Sequence, residues 1–417
     1  MSKLLIKNAL IKHDANTVDI LIEDKKIVEI ETEIKSEGKV IDAEGCAVLP
    51  TLIESHIHPD KAFLDARKPN QSGTLKEAME NTVELKKHYT YEDVYARSEK
   101  VIRMAILKGT TIMRAHPDVD LYEETLGVEV LLDLKEKYKE VLDMQIVAFP
   151  QEGILKSKGV EALLRKTLQM GADVIGGCPY AENNLEDAKK HLEVVFNLSK
   201  EFNVPIDIHA DFSTDINDSK NNMIECICDM TIQEGMKGQV TVGHVTTLGS
   251  LPPHVTDKLF PKISEAGITI VPLPVTDMFM NGRDATYNVP RGMAPVKRLM
   301  EAGVNVVYSS NNIRNAFTPY GNADLLAVGY LLQVSQQLGA IEERLRVLDM
   351  VTGNAAKALG ISDTYGIEVG KDADLVIFEN KELPNLINDQ PLVKYVIKNG
   401  EIIVEKELKM KVHDVLK

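Results

Sequence analysis

The chain reads as an α/β protein: a (β/α)8 barrel of the TIM type with a small β-sandwich domain assembled from both chain ends. Three observations predict this. Through the middle of the 417 residues, eight short runs rich in Val and Ile alternate with helical stretches, and near-continuous apolar runs suit parallel strands covered on both faces. The two ends instead alternate apolar with polar residues, the texture of antiparallel sheet. No Gly-rich phosphate loop accompanies the eight units, which favours closure into a barrel over an open doubly wound sheet.

In order, LLIKNALI, VDILIEDKKIVEI and KVIDAEGCAVLP are short strands broken by Asp-Ala-Asn, Asp-Lys-Lys and Glu-Gly. At the other end, GIEVGKDADLVIFE and VKYVIKNGEIIVE repeat that texture, with Asn399-Gly400 as a type I′ hairpin turn. The ends are expected to pair into one domain, residues 1–50 with 364–417, from which residues 51–363 are a long insertion. Its expected strands are Val48–His58, Thr110–His116, Met144–Pro150, Asp173–Pro179, Pro205–Asp211, Gln239–Val245, Ile268–Pro274 and Val304–Asn311. Between them lie helices such as YEDVYARSEKVIRMAILKG, VEALLRKTLQMG and EDAKKHLEVVFNLSKEF, whose apolar residues recur every three or four positions.

Composition removes several function classes. A net charge of −15 argues against a nucleic-acid partner and offers no basic surface to anionic lipid. No run of about 18 apolar residues or basic-then-apolar start marks a membrane span or signal segment. Cys46, Cys178, Cys226 and Cys228 are too few and too unevenly spaced for a disulfide framework, so a reducing cytoplasm is expected. Cys226 and Cys228 are read as core residues.

Polar residues gather where the apolar runs finish, and in such barrels the C-terminal ends of the strands build the active site. His56 and His58 end the first run, His116 the second, and Gln151 and Glu152 follow the third; His209 and Asp211 end the fifth, His244 the sixth, and Asn311 and Asn312 the eighth. Two strand residues separated by one other project to the same face, so the imidazoles of His56 and His58 converge. With His209 they can supply three nitrogens to one divalent ion, leaving a position for a water whose pKa the metal lowers. His244 would sit beside that water or the substrate as an electrophile or proton-transfer partner.

The His-x-His pair, the single histidines at the fifth and sixth runs, the terminal sheet segments and the closing GIEVGKDADLVIFE together resemble the amidohydrolase superfamily over nearly the whole chain. Within it, VAFPQEGIL (147–155), GADVIGG (171–177), GHVTTL (243–248) and HPDKAF (58–63) resemble the cytosine deaminase branch, which includes enzymes acting on triazine side-chain amines. The resemblance implies one bound zinc or iron, with manganese a third option, and hydrolytic release of ammonia from a small nitrogen heterocycle. It also makes a homo-oligomer an expectation. Gln151 matches the branch's glutamine on the ring amide, and Phe317 stands where the branch places a Trp wall. Asn312 joins them on the substrate side. Lys61 is read as a solvated loop lysine or a contact for an anionic substrate group, and Arg283 as substrate-facing or a loop ion pair. No lysine ends the fourth run, so a carboxylated bridge between two metals is not expected.

Two positions depart from the family pattern. The aspartate expected after strand eight is Asn311, which can coordinate through its oxygen or hydrogen-bond the water but lacks basicity. The glutamate of the family's His-x-x-Glu is Phe212. Asp211, Asp215, Asp277 and His244 are therefore the candidate bases, with Asp211 and His244 set beside Asn311 and Gln151 in the catalytic group. The alternatives are a cyclic-amide hydrolase or a non-catalytic ligand-binding paralogue.

Overall fold

The computed structural model describes residues 3–409 and 411–412; residues 1–2, 410 and 413–417, which hold the outer limits expected for the terminal domain, lie outside the described residues. Strands β1 (Lys3–Ala9), β2 (Val18–Glu23), β3 (Lys26–Glu31) and β4 (Lys39–Asp42) form a four-stranded sheet in the order β3-β2-β1-β4. The expected first barrel run divides in two. β5 (Val48–Pro50) joins a terminal sheet, and β6 (Leu52–Ile57) begins the central one. Pro50 has no N–H to give a ladder and sits on the edge strand of that sheet. Thr51 N still donates to Asp374 O at 3.0 Å, and Leu52 N turns to Gly109 O at 2.9 Å, so the chain changes partners just after Pro50.

The central sheet continues with β7 (Thr110–Ala115), β8 (Asp143–Ala148), β9 (Val174–Gly177), β10 (Ile206–Ala210), β11 (Val240–His244), β12 (Thr269–Val271) and β13 (Asn305–Val306). Its eight strands lie in sequence order and pair in parallel. The sheet curls until its ends meet: Asn311 N donates to His56 O and His58 N donates to Asn311 O, both at 2.9 Å. Glu54 on β6 helps to hold that meeting, accepting from Ser309 Oγ and, at 2.8 Å, from Ser310 N, while His56 N donates to Ser309 Oγ at 2.8 Å. This pins the segment after β13 against β6 and brings their polar ends together.

Helices cover the outside of the curl. The helix Tyr91–Ile106 starts where the Thr90 side chain accepts from Asp93 N, and it buries Val94, Val101, Ile102 and Ala105 along one stripe. Beyond the central unit, β14 (Leu375–Phe378), β15 (Val393–Lys398) and β16 (Glu401–Glu405) form a sheet in the order β16-β15-β14-β5. Asn399 and Gly400 both have positive φ, 52° and 75°, as a type I′ turn requires. The two terminal sheets share one apolar core, in which Leu4, Ile6, Ile20 and Ile22 meet Leu375, Ile377 and Ile397.

Candidate metal centre and pocket

At the C-terminal end of the curl, three buried imidazoles face one another. The Nε2 atom of His209 lies 2.9 Å from that of His56 and 3.1 Å from that of His58. His58 Nδ1 must carry the proton it donates to His116 O at 2.8 Å, so its Nε2 carries the lone pair. Burial pushes all three imidazoles well below the ordinary histidine range, and their crowding together, with the Lys61 ammonium near His58, further disfavours a proton on any of them. Neutral rings with lone pairs turned inward repel one another unless a cation lies between them. The close approach also needs Gly243, where a Cβ would come within 3.1 Å of His56 Cε1.

The surroundings fit a cation as well. Among the described residues His56 Nδ1, His209 Nδ1, Asp207 Oδ1 and Asn311 Oδ1 are buried without a hydrogen-bond partner. Buried polar atoms are rarely left so; His56 Nδ1 and Asp207 Oδ1 face each other at 3.7 Å behind the three imidazoles, and Asn311 is part of the pocket lining. His56, His58 and His209 could hold a divalent ion through atoms within 4.8 Å of one another, and so could His56, His116 and Asp207. Asp207 was not singled out in the sequence, although it lies two residues before His209 and so shares its face of β10. Its Oδ2 accepts from Arg114 Nη1 at 3.0 Å, while Oδ1 faces His116 Nε2 at 3.2 Å and His56 Nδ1 at 3.7 Å.

His244 stands across the pocket, in the left-handed region at φ 69°. Its Nδ1 lies 2.6 Å from Asp277 Oδ1, and Asp277 Oδ2 accepts from Leu273 N at 2.8 Å. The proton of a neutral His244 therefore sits on Nδ1, leaving the Nε2 lone pair free. Burial raises the Asp277 carboxyl against the opposing pull of His244. Phe212 stacks on the His244 ring, centroids 4.0 Å apart.

His58, His209, His244, Gln151, Asn311 and Asn312 line one pocket with Tyr180, Phe212, Thr276 and Phe317. Asn315 Nδ2 donates to Asn312 Oδ1 at 2.7 Å and Asn315 Oδ1 accepts from Phe317 N at 3.0 Å, which fixes two of these residues together.

Three expected site residues fall elsewhere. Asp211 uses both carboxylate oxygens on the start of the helix Ile224–Gln233, accepting from Met223 N at 2.7 Å and Ile224 N at 3.0 Å; burial raises its carboxyl to about 6. That cap turns it away from the pocket. Arg283 is exposed and lies over the Phe279 ring at 4.4 Å, outside the histidine pocket. Lys61 is no solvated lysine: it is 1% exposed, donating to Asp118 Oδ1 at 2.7 Å and to Gln151 Oε1 at 3.0 Å. It stands behind Gln151 and is not part of the lining. Behind it, Lys86 reaches Asp118 at 2.5 Å and Asp120 at 2.6 Å.

Residues 95–404 match the model of the amidohydrolase family. The chain belongs to that family. This amidohydrolase is 34% identical to N-isopropylammelide isopropyl amidohydrolase of Pseudomonas sp. (strain ADP), over 97% of its own length and 98% of the relative's. It is 25% identical to the pterin deaminase of Rhizobium rhizogenes, over 94% and 88%. Its fold is similar to the crystal structure of 5-methylcytosine deaminase from Klebsiella pneumoniae liganded with 5-fluorocytosine, with a TM-score of 0.94 and 28% identity over 99% and 100% of the two chains. Among the described residues of this amidohydrolase, no helix is long and apolar enough to cross a membrane.

Proposed function

We propose that this chain is a metal-dependent hydrolase that cleaves a carbon–nitrogen bond, other than a peptide bond, of a small nitrogen heterocycle, in the manner of a cytosine deaminase-like aminohydrolase. The observation that carries the reading is the convergence of the His56, His58 and His209 Nε2 atoms in a buried pocket. Relatives named for N-isopropylammelide, 5-methylcytosine and pterin support a heterocyclic substrate. In this reading His56, His58 and His209 would hold one divalent ion, zinc or iron with manganese as the third candidate. Asn311, whose amide oxygen is buried without a hydrogen-bond partner, would be a further ligand or hydrogen-bond the water. When bound, such an ion acidifies water and so supplies a nucleophile near neutral pH.

The chain's own residues handle the proton and the ring. Asn311 has no basicity, Asp211 caps a helix, and Asp215 lies on an exposed loop accepting from Asn217 N. His244 is left as the base. With Asp277 on its Nδ1, His244 takes a proton at Nε2 from the attacking water and returns it to the departing nitrogen. Gln151, Asn312 and Phe317 orient the ring, and Phe212 keeps water from the face of His244. Residues 51–363 form the catalytic unit in this reading, with residues 1–50 and 364–417 as the terminal domain.

The test is an ammonia- and amine-release screen of the metal-loaded protein against pyrimidines, pterins and triazines. Turnover that disappears in His209→Ala and in His244→Ala is the expected result. Ligand binding without turnover on any of the three ring classes would replace the hydrolase with a binding protein.

A further inference from the structure

We propose that Lys61 is a positioning residue that locks the Gln151 amide with its N–H groups toward the pocket, so that the site selects heterocycles presenting a hydrogen-bond acceptor at that edge. The inference rests on the heterocycle reading above and specifies the polarity of one side of the ring.

The lock follows from what an ammonium group can do. Lys61 Nζ has donors and no acceptor, so the Gln151 atom 3.0 Å from it is the amide oxygen. A turned amide would set N–H against N–H in a site where Lys61 is 1% and Gln151 4% exposed. Lys61 cannot easily move aside to permit that turn. Asp118 Oδ1 holds it at 2.7 Å, and the Phe149 and Phe317 ring centroids lie 5.6 and 5.5 Å from its Nζ. Asp118 is itself fixed through its other oxygen by Lys86, which also grips Asp120. The chain Asp120–Lys86–Asp118–Lys61–Gln151 therefore runs from the protein interior to the pocket lining with only its last member touching the ligand space.

The consequence is a site whose Gln151 edge donates. A carbonyl oxygen or an unprotonated ring nitrogen satisfies it, whereas an amino group placed there leaves donors facing donors. An unsatisfied buried pair of this kind weakens binding by about tenfold to a hundredfold. The substrate class narrows to heterocycles with an oxo group or bare ring nitrogen on the side away from the bond that is cut.

Calorimetry on the metal-loaded protein with 2-pyrimidinone and 2-aminopyrimidine tests this, because the two differ in whether one ring carbon bears oxygen or an amino group and neither has an amine to lose at the position that cytosine does. Wild type is expected to bind 2-pyrimidinone at least about tenfold tighter. In Lys61→Met the amide is free to turn, and the preference should shrink at least fivefold. A loss of packing alone would weaken both probes together and leave their ratio intact. If Lys61→Met does not fold, the double variant Lys61→Met/Asp118→Asn removes both charges, and the wild-type ratio alone still decides. Equal binding by wild type, or an unchanged ratio in the variant, overturns the lock and leaves the heterocycle reading in place. Binding of neither probe overturns the proposed selection for an acceptor at the Gln151 edge, and the release screen across the three ring classes decides the heterocycle reading separately.

Discussion

Replacing Lys86 by Met removes the cation at the centre of the buried charge chain while keeping the unbranched apolar stem. The Lys86 side chain is fully buried, 2.5 Å from Asp118, 2.6 Å from Asp120 and 3.7 Å from Glu152. One pair of unit charges about 4 Å apart, at an effective dielectric near 20, attracts by about 4 kcal/mol before desolvation. Three carboxylates share this ammonium, and its removal strands them in the interior. Breaking a buried pair from one side typically costs about 3–5 kcal/mol, and that is the loss expected in the free energy of urea unfolding at pH 7.5. Lys68→Met breaks an exposed pair with Glu84 and serves as the control, expected to leave the urea midpoint unchanged. Acid should narrow the gap. Burial pulls the Asp118 carboxyl up, but Lys61 and Lys86 outweigh it and hold the group below its usual range. A depressed carboxylate contributes stability above its unfolded pKa and loses it as pH falls, so wild type has more to lose on acidification than the variant. A Lys86→Met protein within about 1 kcal/mol of wild type at pH 7.5 would refute the assignment of this cluster as a held ion network.

Two further outcomes follow from single carboxylates. Asp277→Asn should lower kcat on whichever heterocycle is turned over by about a hundredfold or more, with metal content unchanged, because the amide no longer fixes His244 with its Nε2 lone pair toward the pocket; steady-state kinetics paired with metal analysis checks both halves. Glu123 is buried, and burial pushes its carboxyl well above the ordinary range against the pull of Lys86, so the folded chain binds its proton more tightly than the unfolded chain does. Stability from this group is present at low pH and is lost as pH rises above the ordinary carboxylate range, and Glu123→Gln should flatten the fall in Tm between pH 5 and 8.

The fold was legible because parallel strands buried on both faces leave a mark in composition. ITIVPLP and QVTVGHV need no partner to be recognised, and each run does supply a strand of the central sheet. The register of the turns was legible for the same local reason at Asn399-Gly400. Less of the division after Pro50 could be read, since VLPTLIESHI is one apolar stretch and the switch of partner, from Asp374 at Thr51 to Gly109 at Leu52, leaves no local mark. At the pocket, residue type and strand position pointed to His56, His58, His209 and His244, because imidazoles at strand ends have few other reasons to be there. Asp207 was hidden in PIDIHAD, where it looks like an ordinary charged residue until Arg114 is seen on its other oxygen. Lys61, Lys86, Asp118 and Asp120 look solvated in sequence because their partners are far along the chain: 57 positions separate Lys61 from Asp118, 90 separate Lys61 from Gln151 and 34 separate Lys86 from Asp120. Asp211 misled in the opposite way: it follows His209 by two on the same run, but the chain turns at Asp211, where φ is 53°, and the side chain caps the next helix.

The most direct test of the account is the metal content per chain of wild type, His56→Ala and His209→Ala after equilibration with zinc and removal of excess ion. One ion per wild-type chain, lost in both variants, is the result predicted by three Nε2 atoms meeting at one point. No bound metal in wild type, or the same content in all three proteins, would contradict it.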